Sequence, residues 1–256
     1  MNKIINFSNI ILILLLSSCS SYKNIPYFQD LNHTKSTKEQ VENYSPLTIQ
    51  PADLLSINVS SRNPESSAIF SSVNGNNSNN SSADNPAIGY LVDQKGDIHL
   101  PLIGNLKVAG LTTNDLREKL NQTLLTYYKD PVVNVRLLNL KVSVFGDVLR
   151  PNIYTLPNER TTLTQALSLA GDLNITAMRN NIILVREEDG KRNYIPLDLT
   201  SKKLFESPYY YIKNNDEIYV QPDRTKYATV DRGNRTATFV LSGISVLAIL
   251  LTYVLR

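Results

Sequence analysis

The side chains able to do bond-making chemistry are few and scattered. The chain has one cysteine, Cys19, and two histidines, His33 and His99, and these three belong to no cluster with ligand or triad spacing. Asp93 and Asp97 form one close carboxylate pair, and Glu187, Glu188 and Asp189 form an acidic run. Paired carboxylates can cleave a glycosidic bond as acid and base. Here the first pair brackets Lys95-Gly96 and the run leads into Gly190, so both sit where a turn is expected. There is no G-x-S-x-G elbow and no glycine-rich phosphate loop. The sequence is therefore read as non-enzymatic, with no cofactor and no metal site. A net charge of +3 from 26 basic and 23 acidic residues, dispersed along the chain, excludes a nucleic-acid surface.

The cysteine has another chemistry open to it. Lys3, the apolar run from Ile10 to Leu16, and the small residues Ser17 and Ser18 have the order of an export signal over residues 1–18. The apolar core is shorter than the roughly 20 residues that span a bilayer. Leu16-Ser17-Ser18-Cys19 resembles a bacterial lipobox, which implies acylation of Cys19 and retention at the lipid bilayer. Ser20, rather than an aspartate, implies the outer membrane. An ordinary signal peptide carrying a chance cysteine is the other reading. Residues 19–45 are polar with little periodicity and are read as a tether.

At the other end, residues 236–255 hold no charge and lie between Arg235 and Arg256. As a helix they would extend about 30 Å, the thickness of a hydrocarbon core, and a transmembrane helix is expected. Thr238, Ser242, Ser245 and Thr252 would share a face roughly 80° wide at 100° per residue. That face suits a pore lining or a helix contact, although serine and threonine are also simply tolerated in membrane helices.

Between these ends, hydrophobic periodicity defines a mixed body. Two short strands are expected around the turn of "PLTIQPADLLSINVSS", and a hairpin in "GYLVDQKGDIHLPLIG". "LTTNDLREKLNQTLLTYY" reads as a helix capped by Thr112 or Thr113, with Leu116, Leu120 and Leu124 in one stripe. "VVNVRLL" and "KVSVFGDV" alternate as strands, and "TTLTQALSLAGDL" is a short helix stopped by Gly171. A hairpin around Asp189-Gly190 and two strands around Asn214-Asn215 complete the body. Residues 74–85, rich in asparagine and serine, form a low-complexity loop. Without regular βαβ spacing, the fold class is read as α+β.

In this order the motifs resemble the polysaccharide biosynthesis/export family, Wza-like outer-membrane lipoproteins. "LTIQPADLLSINV" is similar to the family's opening motif. "GYLVDQKGDIHLPLIGNLKVAGLTTNDLREKL" is similar to the rest of the export domain. "VFGDVLRPNIYTLPNERTTLTQALSLAGDL" and "IKNNDEIYV" resemble a soluble-ligand-binding β-grasp (SLBB) module. The resemblance implies an export domain at 46–139, one SLBB-type domain at 140–223, and the C-terminal helix. It makes Pro51, Asp53, Gly146, Asp147, Pro151 and Tyr154 motif residues, read as turn-fixing. It also implies a ring homo-oligomer that exports capsular or extracellular polysaccharide, with an inner-membrane polysaccharide co-polymerase as partner. A monomeric glycan-binding surface or periplasmic lipoprotein is the alternative. Two residues depart from the family pattern: Ala52 and Asn152 stand where glycine is usual. Because alanine resists positive φ, the turn at Ala52 is expected to be right-handed or extended.

Overall fold

Alternating Leu55, Ile57 and Val59 give strand β1 (Leu54–Ser60) one buried face. In this computed structural model, which describes residues 25–32, 34–41, 43–61, 89–188, 190–228, 239–246 and 248, that face begins the first of two cores. β1 pairs antiparallel along its length with β5 (Val132–Leu137), from Leu55 opposite Leu137 to Ser60 opposite Val132. The short β2 (Tyr90–Leu91) lies on its other edge, and β3 (Asp97–Leu100) pairs with β4 (Gly104–Lys107) in a separate ribbon. Helix α1 (Thr113–Leu124) closes this domain. Thr112 caps it, accepting from the Asp115 N–H at 3.1 Å while the Asp115 carboxylate accepts from the Thr112 N–H. Leu116, Leu120 and Leu124 are fully buried against Ile57, Ile98, Leu100 and Val108. Each such leucine contributes about 1.5–3 kcal/mol by leaving water.

The second domain is a five-stranded sheet in the order β7-β6-β10-β8-β9. Its strands are β6 (Lys141–Gly146), β7 (Asn152–Thr155), β8 (Ala177–Glu188), β9 (Lys191–Leu197) and β10 (Glu217–Pro222). Only β6 and β10 run parallel; the other neighbours are antiparallel. Helix α2 (Leu163–Leu169), with a Thr162–Gln165 capping box, presses Leu163, Ala166, Leu167 and Ala170 onto Val142, Val144, Ile182, Leu184, Ile218 and Val220. Gly171, at φ +78°, ends it, donating to Ser168 O while the Asp172 N–H reaches Leu167 O. A 3₁₀ turn (Lys202–Glu206) and helix α3 (Arg224–Ala228) flank β10.

The structure departs from the sequence expectations at specific places. Residues 47–49 form no strand; Ile49 exchanges backbone hydrogen bonds with Gly110 and Leu111, and its side chain enters the first core while Leu47 enters the second. The turn at Asp93–Gly96 forms, but its arms diverge, β2 to β1 and β3 to β4. Tyr211 makes only a bridge to Thr162, so one strand rather than two accompanies Asn214-Asn215. Asn152 has negative φ and pairs with Val144 at the start of β7, so no glycine is needed there.

Two corrections concern larger features. Among the described residues, no helix is long and apolar enough to cross a membrane. The transmembrane helix expected over 236–255 is therefore corrected. Within it, residues 239–246 and 248 are helical. The rest of 236–255 lies outside the described residues. Nor is all of 19–45 a free tether. Phe28 and Gln29 donate to Leu199 O and Thr200 O, and Asp30 accepts from the Lys202 N–H at 2.6 Å, so this strap is docked on the second domain.

Ala52 overturns the expectation for its turn, with φ at +72°. The left-handed region costs an alanine about 1–2 kcal/mol, and surrounding hydrogen bonds hold it there. Its N–H donates to Val92 O at 2.9 Å, and its carbonyl accepts from the Asn139 amide at 3.0 Å. Glycine removes that strain but adds unfolded-chain entropy worth about 0.4–1 kcal/mol. Ala52→Gly is expected to raise stability by about 0.5–1 kcal/mol, measured as a shifted urea midpoint with an unchanged slope.

Candidate functional site

Two four-residue turns, Gln50–Asp53 and Lys213–Asp216, are wired alike and meet where the domains join. In each, the aspartate N–H donates to the carbonyl of the first residue, Asp53 to Gln50 at 3.1 Å and Asp216 to Lys213 at 3.3 Å. In each, the first residue's N–H donates back to the carboxylate, at 2.8 Å and 2.7 Å. The third residue of each is left-handed, Ala52 and Asn215 (φ +63°). The second turn reaches the first through Asn214, whose amide donates to Asp53 Oδ1 at 2.8 Å while its oxygen accepts from the Lys141 N–H at 3.0 Å. Asn139, in the connection between the domains, donates to Ala52 O and accepts from the Leu54 N–H at 2.9 Å.

Both aspartates are buried, Asp53 at 4% and Asp216 at 1% exposure. Burial pushes the Asp53 carboxyl above the usual carboxylate range, opposed by the Gln50 N–H and the Asn214 amide. Burial also raises Asp216, opposed by the Arg186 guanidinium, which grips it through two bonds of 2.9 and 2.7 Å. Arg186 further donates to Tyr211 O at 3.0 Å, tying the turn to β8.

The second motif cluster lies at the far end of β6, about 20 Å along the strand. Gly146 has φ +100°, and a Cβ there would stand 2.1 Å from Val220 O, because β6 and β10 run side by side at that point. Asp147 is fully buried and accepts from Thr176 Oγ1 at 2.6 Å, Asn174 Nδ2 at 2.9 Å and the Lys226 ammonium of α3. Burial opposes its ionisation, but Lys226, Thr176 and Asn174 prevail and hold the carboxyl below its usual value. The Tyr154 hydroxyl donates to Arg150 O, closing the turn that contains Pro151. Pro51 occupies the second position of the first joint turn and is exposed.

Of the remaining sequence candidates, Cys19, Thr238, Thr252, His33 and Asp189 lie outside the described residues. Ser242 and Ser245 turn their hydroxyls onto their own helix, donating to Phe239 O and Leu241 O at 2.9 Å. His99 is exposed beside Asn105, and Asp93 Oδ1 accepts from the Asp97 N–H at 2.8 Å as a turn carboxylate does. Glu187 pairs with Arg192, and Glu188 with Lys213 at 2.6 Å. Among the described residues no group of histidines, cysteines and carboxylates could hold a metal.

Sequence reasoning gave Asn214 only a place in a turn, and it missed Asn139, Arg186, Asp216 and Lys226. It also missed the strap, where Tyr27 donates to Asp172 and lies under Arg179, with its phenol pushed up to about 12 chiefly by burial and then by Asp172. The repeated pattern of "QPAD" and "KNND" was the one visible signal for the joint.

These two jointed domains correspond to known families. A family described as "Polysaccharide biosynthesis/export protein" matches residues 41–138, and an SLBB domain matches 141–196. Together the matches take in more than half of the chain. The chain thus carries a polysaccharide biosynthesis/export domain followed by an SLBB domain. It is similar to the "EPS I polysaccharide export outer membrane protein EpsA" of Ralstonia solanacearum, 31% identical over 137 residues, which is 52% of this chain and 36% of that protein. The protein of the same name from Ralstonia nicotianae is 38% identical over 98 residues, 37% of this chain and 26% of that one. The match thus spans about a quarter to a third of these relatives' lengths. The SLBB match ends at 196, yet β10 at Glu217–Pro222 is the central strand of the sheet and belongs to the same unit.

Two of the three buried carboxylates, Asp147 and Asp53, should give opposite pH signatures. Because the folded pKa of Asp147 is lowered, its contribution is present above the unfolded value near 3.9 and lost as pH falls through the folded one. Asp147→Asn should cost about 2–3 kcal/mol at pH 7, by loss of charge-assisted hydrogen bonds, and the cost should shrink on acidification. Because the pKa of Asp53 is raised, its contribution is present below about 3.9 and lost as pH rises through its folded pKa. The cost of Asp53→Asn should therefore shrink in the opposite direction. Urea titrations at a series of pH values read both slopes. Gly146→Ala should destabilise by about 3 kcal/mol or more, through strain and the clash with Val220 O.

Proposed function

We propose that this protein exports polysaccharide across the cell envelope as an outer-membrane lipoprotein, the export and SLBB domains forming its periplasmic body. The observation that carries this reading is the pairing of an export domain with an SLBB domain through a buried, hydrogen-bonded joint. It is supported by relatives that are named polysaccharide export outer-membrane proteins. In this reading Cys19 carries the lipid that holds the body at the bilayer. The subunits assemble as a ring, an oligomeric channel whose cargo is a capsular or extracellular polymer, and an inner-membrane polysaccharide co-polymerase supplies that cargo. Transport of this kind calls for a shaped polar passage, and the buried carboxylates of the two domains are all engaged in holding structure rather than poised for reaction.

Deletion of the gene is expected to abolish extracellular polysaccharide while the polymer or its precursors accumulate inside. Restoration by Cys19→Ala at wild-type level, together with its recovery in the outer-membrane fraction, would remove the lipid anchor from the scheme. Cross-linking in intact cells should give a ladder of multimers; a monomer alone would favour the glycan-binding lipoprotein.

A further inference from the structure

The strap and the second domain enclose a cleft of about 510 Å³, within the roughly 300–1,000 Å³ of small-ligand sites. Phe205, Tyr210 and Tyr211 line it and belong to a longer aromatic row. Phe28 stacks on Phe205 at 4.7 Å, Phe205 meets Tyr210 at 5.3 Å, Tyr210 meets Tyr211 at 5.3 Å, and Tyr211 meets Tyr44 at 5.1 Å. The row is built from both parts, Phe28 and Tyr44 from the strap and the others from the domain. Its last three contacts are edge-on, at 78°, 68° and 76°, so rings meet edge to face and do not lie flat over one another. Arg160 covers Tyr44 and Tyr211 at one end, at 4.6 and 5.3 Å from the ring centres. Tyr210 and Phe205 remain half-buried along the cleft. The lining also includes the exposed polar residues Glu39, Gln40 and Glu206.

Aromatic faces beside carboxylates and an amide suit one chemical class well. A pyranose ring presents a face of C–H bonds, weakly positive, to the negative face of an aromatic ring. Its hydroxyls are donors that carboxylates and amide oxygens accept. Glu39 pairs with Lys202 at 2.8 Å, so the Glu206 carboxylate and the Gln40 amide are the rim groups left to meet a ligand. A purely apolar ligand would desolvate Glu206, and an acidic sugar would meet its charge. We propose that this cleft binds neutral pyranose units, giving the exported polymer a contact on the face where strap and SLBB domain meet. The identity of the ligand as part of the cargo rests on the export reading; the site itself rests on the cleft.

Full-length protein in detergent, titrated calorimetrically with cellohexaose, maltohexaose and mannohexaose, should bind at least one with a Kd of about 1 mM, and hexagalacturonate should bind none. Tyr210→Leu keeps apolar volume but removes the ring, and should weaken binding about tenfold, or about 1.4 kcal/mol. Glu206→Ala and Gln40→Ala change exposed side chains, keep the wild-type melting temperature, and should each weaken binding about threefold to fivefold. No binding of the three neutral hexaoses, or unchanged affinity in the rim variants and in a folded Tyr210→Leu protein, would overturn the site. The aromatic row would then serve only to hold the strap. If secretion fails on gene deletion while the hexaoses do not bind, the export reading stands and this inference falls. If they bind while secretion survives deletion, the glycan site stands and the export reading falls.

Discussion

A carboxylate taken out of water must be met by donors, and Asp53 is met from both domains. The Gln50 N–H makes it part of a local turn; the Asn214 amide makes it part of the second domain, more than 150 residues away along the chain. The first domain's opening strand, the strained Ala52 and the start of β6 are all set by that exchange, because Asn214 also accepts from the Lys141 N–H. Asn139 clasps the backbone on both sides of Asp53, taking Ala52 O and the Leu54 N–H. The domains are held as jointed units rather than strung on a flexible linker.

The same device is repeated with a different counterpart. Asp216 fixes a turn of the same form but answers to Arg186 on β8, so the turn that reaches across to the first domain is itself locked to its own sheet. At the other end of β6, Asp147 answers to Lys226 of α3, and the chain leaving the second domain is pinned as firmly as the chain entering it. Three buried aspartates thus hold both ends of one parallel strand pair. For a protein proposed to pass a hydrated polymer, fixed carboxylates that stabilise architecture are more useful than reactive ones.

Much of this was legible in the sequence where the signal is local. The cap at Thr112 with Asp115 in the first turn, the leucine stripe of α1, the stop at Gly171 and the hairpin that leads into Gly190 follow from spacing alone. The readings that failed depended on partners distant in sequence. Residues 47–49 alternate like a strand, but their backbone is satisfied by Gly110 and Leu111, and their two side chains serve different cores. The Lys95-Gly96 hairpin was drawn with the wrong partner because β4 competes for β3. The strap looked like a polar tether because its anchors, Phe28 and Asp30, are single residues without periodicity.

The sequence by itself determined most of the order of elements and the two-domain resemblance, since capping, periodicity and turn chemistry act over a few residues. Tertiary structure alone decided that Ala52 adopts a left-handed conformation, because hydrogen bonds to the Val92 carbonyl and from the Asn139 amide offset its local cost. It also decided that Asn214 speaks for Asp53 and that aromatic residues from two distant segments form one row. Each of these depends on which distant groups meet once burial has excluded water.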